Sequence, residues 1–161
     1  MKKLFYILCI LSGLVFLPQT VSAQCQKGEM TLGIAGGYAS FNKSGYTDIY
    51  FQYAFSKHVR ISPEIGYIFK NEGTSGLEVS VDMHFPFKVA KAFSIYPLAG
   101  VTFNNWNYKN NENNYTRCGG DVGAGAELYL TQNLKFSLQG KFSILKNCSG
   151  AYVNFGVGYI F

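Results

Sequence analysis

An all-β fold, an eight-stranded antiparallel up-and-down transmembrane β-barrel, is what this sequence predicts, and three observations predict it. Eight segments of ten or more residues alternate apolar and polar side chains. Strands of soluble sheets run to about 5–6 residues, whereas a tilted strand that crosses a membrane needs about 9–11. Charge is thin: Asp, Glu, Lys and Arg make up 14% of the chain and aromatics 17%, against about 25% charged residues in ordinary soluble domains. Outside the N-terminal apolar run, no window holds a 3.6-residue period, so no helix is expected to cover the sheet.

The strands are expected at 28–40, 46–56, 58–70, 76–88, 92–105, 117–130, 134–145 and 151–161. Their even number suits a closed bacterial barrel. Three links are tight, Ser56-Lys57-His58, Val89-Ala90-Lys91 and Thr131-Gln132-Asn133; the others, at 42–45, 71–76, 104–116 and 146–150, are polar and longer. Short turns inside and longer loops outside are the outer-membrane arrangement, and they place both termini in the periplasm. The third outer loop, N-N-W-N-Y-K-N-N-E-N-N-Y-T, is the most exposed segment and the candidate surface for a ligand, although solvated loops are polar in any case.

Alternation alone does not tell which face is inside, because a soluble ligand-binding barrel inverts the same pattern. Bulk decides. One face carries Ile49, Phe51, Tyr53, Phe55, Val59, Ile61, Ile65, Tyr67, Phe69, Leu77, Val79, Val81, Met83, Phe85 and Phe87, then Leu134, Phe136, Leu138, Phe142 and Ile144. Eight strands enclose too little space for these side chains, so this face is expected against lipid, with Tyr and Phe near strand ends forming interfacial girdles. The other face mixes Gly, Ala and Ser with Asp48, Arg60, Glu64, Glu78, Asp82, His84, Asp121, Glu127, Lys135 and Lys141. A carboxylate in a narrow, partly dry interior is costly unless paired. Acids gather on strands two to four and Lys135 and Lys141 on strand seven, so ion pairs are expected to cross the lumen. With a hairpin turning near Thr74, Glu64 would lie beside His84 and Lys70 beside Glu78.

The first residues read as an export signal. Lys2 and Lys3 precede an apolar run from Leu4 to Leu17, then Pro18 and the small residues Val21-Ser22-Ala23. The run is short for the roughly 20 residues of a spanning helix. Segment 1–23 is therefore expected to be removed, leaving the barrel at 24–161. Gln24 stands where a lipobox needs a small residue, so lipid attachment at Cys25 is not expected. Cys118, Cys148 and Cys25 remain in an oxidising compartment. A hairpin centred near Gln132 sets Cys118 opposite residue 146, which makes a Cys118–Cys148 disulfide the candidate pair and leaves Cys25 alone.

Catalysis and metal binding find little footing. Ser80, Asp82 and His84 share a strand face, but alternate residues stand almost 7 Å apart, so Ser80 and His84 are too distant for a direct hydrogen bond. Two isolated histidines offer no metal spacing, and His58 falls in a turn. No cofactor is implied. The net charge of +5 is scattered, which leaves no nucleic-acid footprint.

The last ten residues, Y-V-N-F-G-V-G-Y-I-F, form a strand that ends on an aromatic. With the signal segment, the eight strands, the short inner turns and the terminal Phe161, the mature chain resembles the small OmpA/OmpX-type eight-stranded outer-membrane barrels. The resemblance implies insertion into outer-membrane lipid by the barrel-assembly machinery, which would read Tyr159 and Phe161. It implies no enzyme, and a structural or surface-interaction role at the Gram-negative cell surface. A lipid-modifying enzyme on the same fold and a secreted soluble barrel for a small apolar ligand are the alternatives.

Overall fold

In the computed structural model, residues 25–71, 73–108, 115–146 and 149–161 are described. They form strands β1 (Met30–Ala39), β2 (Ser44–Ser56), β3 (Val59–Asn71), β4 (Thr74–His84), β5 (Phe87–Ala90), β6 (Phe93–Tyr108), β7 (Tyr115–Tyr129), β8 (Leu134–Leu145) and β9 (Gly150–Ile160). Neighbours in sequence pair antiparallel except β4 and β5, which both pair with β6 rather than with each other, and β1 pairs with β9 from Thr31 opposite Ile160 to Ala39 opposite Tyr152. The sheet is thereby closed and keeps no free edge, the condition for crossing lipid with strands. Nine segments make eight staves, because β4 and β5 are halves of one. The expected continuous strand 76–88 is broken at Pro86, which has no N–H to give the ladder. The wall stays joined there, since the Phe85 N–H donates to the Pro97 carbonyl at 3.0 Å.

Two loops differ from expectation. The link placed at 71–76 shrinks to a turn between Asn71 and Thr74, which face each other across the hairpin. Gly73 supports it at φ 89°, a left-handed conformation that only Gly adopts without strain. The third loop, placed at 104–116, is shorter because β6 and β7 continue pairing up to Trp106 opposite Tyr115. Asn and Thr do not end the strands here: Asn105 Nδ2 donates to Thr116 Oγ1 at 2.9 Å across the ladder. The centre of that loop, 109–114, lies outside the described residues, as do the segment expected to be an export signal and Cys148.

The two-residue period sorts every stave into an outer and an inner face. Outward, Ile34, Ile49 and Ile65 are 59–64% exposed. Tyr53–Phe55, Tyr67–Phe69 and Tyr159–Phe161 stack edge-on at the strand ends, with centroids 5.1, 5.6 and 5.3 Å apart. These positions fit the aromatic belts of a membrane interface. Inward, the lumen is layered. At the loop end Ala39, Tyr46, Ile68, Trp106, Leu145 and Tyr152 pack into an apolar cluster with Phe41 against it. At the turn end Ala92, Tyr129 and Ile160 form a second cluster beside Leu128. Between the two lie the charges. The inward tyrosines need flat neighbours: Tyr50 lies over Gly33 and Tyr96 over Gly125, where any Cβ would strike the ring.

Candidate functional site

The charged middle of the lumen is the part of the molecule where chemistry concentrates. Asp48, Arg60, Glu64, Glu78, Asp82, His84, Asp121, Glu127, Lys135 and Lys141 are each under 5% exposed, six carboxylates facing three permanent cations and one imidazole. They fall into two clusters. Toward the turn end, Glu127 of β7 accepts from Arg60 of β3 at 2.9 and 2.6 Å, a bidentate pair spanning the lumen. Lys135 on neighbouring β8 lies 3.0 Å from the same carboxylate and donates to Gln52 Oε1 at 2.7 Å. Tyr129 and Ser94 hydroxyls also donate to Glu127, at 3.3 and 3.4 Å. Toward the loop end, Lys141 Nζ sits among four carboxylates, Glu78 at 2.8, Glu64 at 3.1, and Asp82 and Asp121 at 3.7 Å. It also touches the Ser80 hydroxyl at 3.1 Å. One ammonium thus offsets several acids, which is what dry surroundings demand and only partly supply.

The strand pairing corrects the register expected for the third hairpin. Arg60 faces His84, Glu64 faces Ser80 and Gly66 faces Glu78. The ladder runs up to Asn71 opposite Thr74, so the hairpin is centred nearer Asn71 than expected, and moving a hairpin's centre by two residues displaces each partner by four. Glu64 is therefore not the ladder partner of His84, although atoms of the two side chains come within 4.8 Å, and Lys70 stands exposed on the rim, away from Glu78. His84 instead stacks on Tyr96, with centroids 4.5 Å apart and planes 17° apart, and the Arg60 guanidinium covers Tyr96 at 4.9 Å.

Among the described residues, the lumen builds neither an acyl-transfer triad nor a transition-metal site. Ser80 is engaged by Lys141 and His84 by Arg60, with no hydrogen bond between the serine and the histidine among the described residues. One ligand atom each of Glu64, Asp82 and His84 lie within 4.8 Å of one another. Arg60, however, places Nε and an Nη against His84 Nδ1 at 3.3 and 3.2 Å. A guanidinium only donates, so Nδ1 must accept and the ring proton sits on Nε2. That hydrogen occupies the lone pair a metal would need.

Several contributors escaped the sequence reading. Gln52, Asn104, Gln139 and Asn154 line the lumen: Tyr96 Oη donates to Gln139 Oε1 at 2.9 Å, Asn104 Nδ2 to Tyr152 Oη at 3.3 Å, and Asn154 Nδ2 to Asp48 Oδ2 at 2.8 Å. Their shared parity with the charged residues was the available signal. At the loop rim, Asn42 Nδ2 donates to the Phe69 and Thr74 carbonyls at 3.1 and 2.9 Å, and Asn71 Nδ2 returns a bond to the Asn42 carbonyl at 2.8 Å. The first loop and second turn are stitched together there. Cys118 is exposed at the loop end of β7 with no disulfide partner among the described residues, and Cys25 is buried beneath the Glu127 cluster. Burial pushes the Cys25 thiol up to about 11, with the charge of Glu29 adding to the effect.

This closed barrel, apolar outside and ionised within, has a sequence counterpart. The family described as outer membrane protein beta-barrel domain matches residues 9–161. The chain belongs to that family. Solved barrels superpose on it closely despite distant sequences. The N-terminal β-barrel domain of Pseudomonas aeruginosa OprF has a TM-score of 0.75 at 17% identity, covering 85% of this chain and all of that one. Neisserial surface protein A has 0.71 at 13%, covering 84% and 98%. Ail, the attachment invasion locus protein of Yersinia pestis, has 0.64 at 16%, covering 84% and all of that chain. No curated protein matches the chain in sequence. In this outer-membrane barrel Tyr159 and Phe161 project outward at 53% and 67% exposure, and the Phe161 N–H closes the last rung on the Met30 carbonyl at 3.0 Å.

Proposed function

We propose that this outer-membrane barrel is a non-enzymatic structural or surface-interaction element whose lumen conducts nothing. The observation that carries the reading is the layered interior, apolar side chains filling both ends and paired charges between them. With the lumen filled, contact with other molecules falls to the wall and the loop rim. The short turns at 57–58 and 91–92 belong on the periplasmic side with both termini, and the end bearing the third loop belongs outside. Residues 1–23 serve as the cleaved export signal, and Tyr159 and Phe161 are what the assembly machinery reads. The exposed Lys43, Lys70 and Lys146 at one rim and Lys27, Lys57 and Lys91 at the other suit anionic headgroups on both sides of the bilayer. A surface ligand would meet the third loop. Ail, of the same fold, has been solved with the heparin analogue sucrose octasulfate, so anionic glycans are the ligand class to try first against this rim. The ladder that sets Gly119 opposite Leu145 brings Cys118 level with Lys146, two residues from Cys148, and supports a bridge across the loop end.

Two experiments test the reading. Reconstituted protein in a planar bilayer should give no steady conductance, and a large persistent current would refute the filled lumen. On intact cells, a membrane-impermeant reagent should label the third loop and spare Lys57; the reverse pattern would invert the topology.

A further inference from the structure

The lipid-facing wall is not evenly clad. Across β6, β7 and β8 it carries an open apolar groove of about 530 Å³, within the ~300–1,000 Å³ range of small-molecule sites. Pro97, Ala124 and Gly140, successive partners across the ladder, form its floor. Ile95, Leu138 and Val153, 44–55% exposed, stand at its sides. A Cβ built on Gly140 would meet nothing within 4 Å. Tyr96 and Gln139 border the groove too, but their side chains turn into the lumen and bond each other at 2.9 Å. No polar side chain among the lining residues therefore reaches it. The floor is paired backbone bearing side chains too short to swing across, so the depression is filled only by what lies outside the wall. Toward the tight turn between β5 and β6, Lys91 is exposed, four residues from Ile95 and so within about 14 Å along the chain.

We propose that this groove is a site for one acyl chain of a phospholipid in the periplasmic leaflet, with the lipid's phosphate meeting Lys91. The leaflet follows from the topology proposed above, in which the turn at 91–92 is periplasmic. Two apolar walls gain nothing by leaving lipid for each other, so a second copy would need hydrogen bonds or close small-residue packing to displace the chains. The groove has no side-chain donor or acceptor for such a bond. A methylene chain moulds to it, and a chain lying in a rigid groove meets atoms on three sides where one on the convex wall meets them on one. Lys91 adds the charge complement: its stem lies along apolar surface while its ammonium reaches the headgroup level, where anionic lipid attracts it.

Native mass spectrometry of protein released from membranes in mild detergent should find a single phospholipid retained on the chain. Gly140→Trp, which fills the groove from a position open to the outside, should release it. Ile49→Trp, on the lipid face of β2 across the barrel, should keep it. Both variants should show the heat-dependent electrophoretic shift of the folded barrel. Lys91→Gln, which lies outside the wall, should lower retention by about fivefold, the weight of one basic residue at an anionic surface. Wild-type protein free of phospholipid overturns the proposal, as does retention that Gly140→Trp and Lys91→Gln leave unchanged. A dimer that Gly140→Trp dissolves, with no lipid retained, overturns it in favour of a second copy. Impermeant label on Lys57 of intact cells overturns the leaflet together with the topology, whereas a lipid-free chain overturns the groove alone.

Discussion

Replacing Glu127 by Gln removes one charge and almost no volume, and the structure sets its cost. Three charged donor contacts converge on that carboxylate, from Arg60 at 2.9 and 2.6 Å and from Lys135 at 3.0 Å, with all three side chains at most 1% exposed. In the variant Arg60 and Lys135 remain buried, side by side, with no anion between them. Hydrogen bonds to charged groups contribute roughly 1.5–3 kcal/mol each, but Lys135 keeps Gln52 and the new amide oxygen still accepts one bond. Removing one partner of a buried pair costs about 3–5 kcal/mol, and that is the loss expected here. Denaturant unfolding of the barrel in lipid vesicles, followed by electrophoretic shift and by Trp106 emission, reads it directly. Exchanging Arg60, Glu127 and Lys135 together for Met should recover most of the loss, because the desolvation penalties go with the charges. A Glu127→Gln cost below about 1 kcal/mol, the range of exposed pairs, would mean that water fills the lumen and would refute the dry-core argument.

Ile65 faces lipid opposite Val79 near mid-stave; Ile65→Arg should destabilise the barrel by about 2–4 kcal/mol in vesicles, and an unchanged midpoint would place that face elsewhere. The single Trp, Trp106, is fully buried against Phe41 with ring centroids 4.9 Å apart; its emission should be blue-shifted and resist both aqueous iodide and brominated acyl chains, whereas quenching by either would open the loop-end cluster. Cys25 should stay unalkylated at pH 8 in folded protein, because burial holds its thiol near 11, and should react only as pH approaches that value or on unfolding. Rapid labelling of Cys25 at pH 8 in the folded state would contradict its burial.

The side on which each residue stands was legible because a strand's period of two leaves no choice once bulk is weighed against the lumen: Ile65 cannot fit where Glu64 points. Strand limits were less legible. Asn105 and Thr116 look like loop residues, yet a strand tip projecting beyond lipid has the same composition as a loop and still pairs. Pro86 broke a stave that alternation alone reads as continuous. The choice of ion-pair partners lay furthest from the sequence. Arg60 and Glu127 are 67 positions apart and meet only because closure brings β3 across from β7. The apolar layers at the lumen ends were hidden for a related reason, since Tyr46, Ile68 and Trp106 share parity with the charges and differ from them only in height along the barrel.

One wall separates lipid outside from a filled interior. Single cysteines at Leu138, Phe142, Val153 and Phe155, and at Ser80, Thr102, Ser137 and Ser143, in a background with Cys25, Cys118 and Cys148 replaced by Ser, would carry a fluorophore or spin label into bilayers. The first four sites should be quenched by brominated acyl chains or relaxed by dissolved oxygen, and the second four shielded from lipid-phase and aqueous agents alike. Lipid contact at the second set, or free aqueous access to the first, would contradict it.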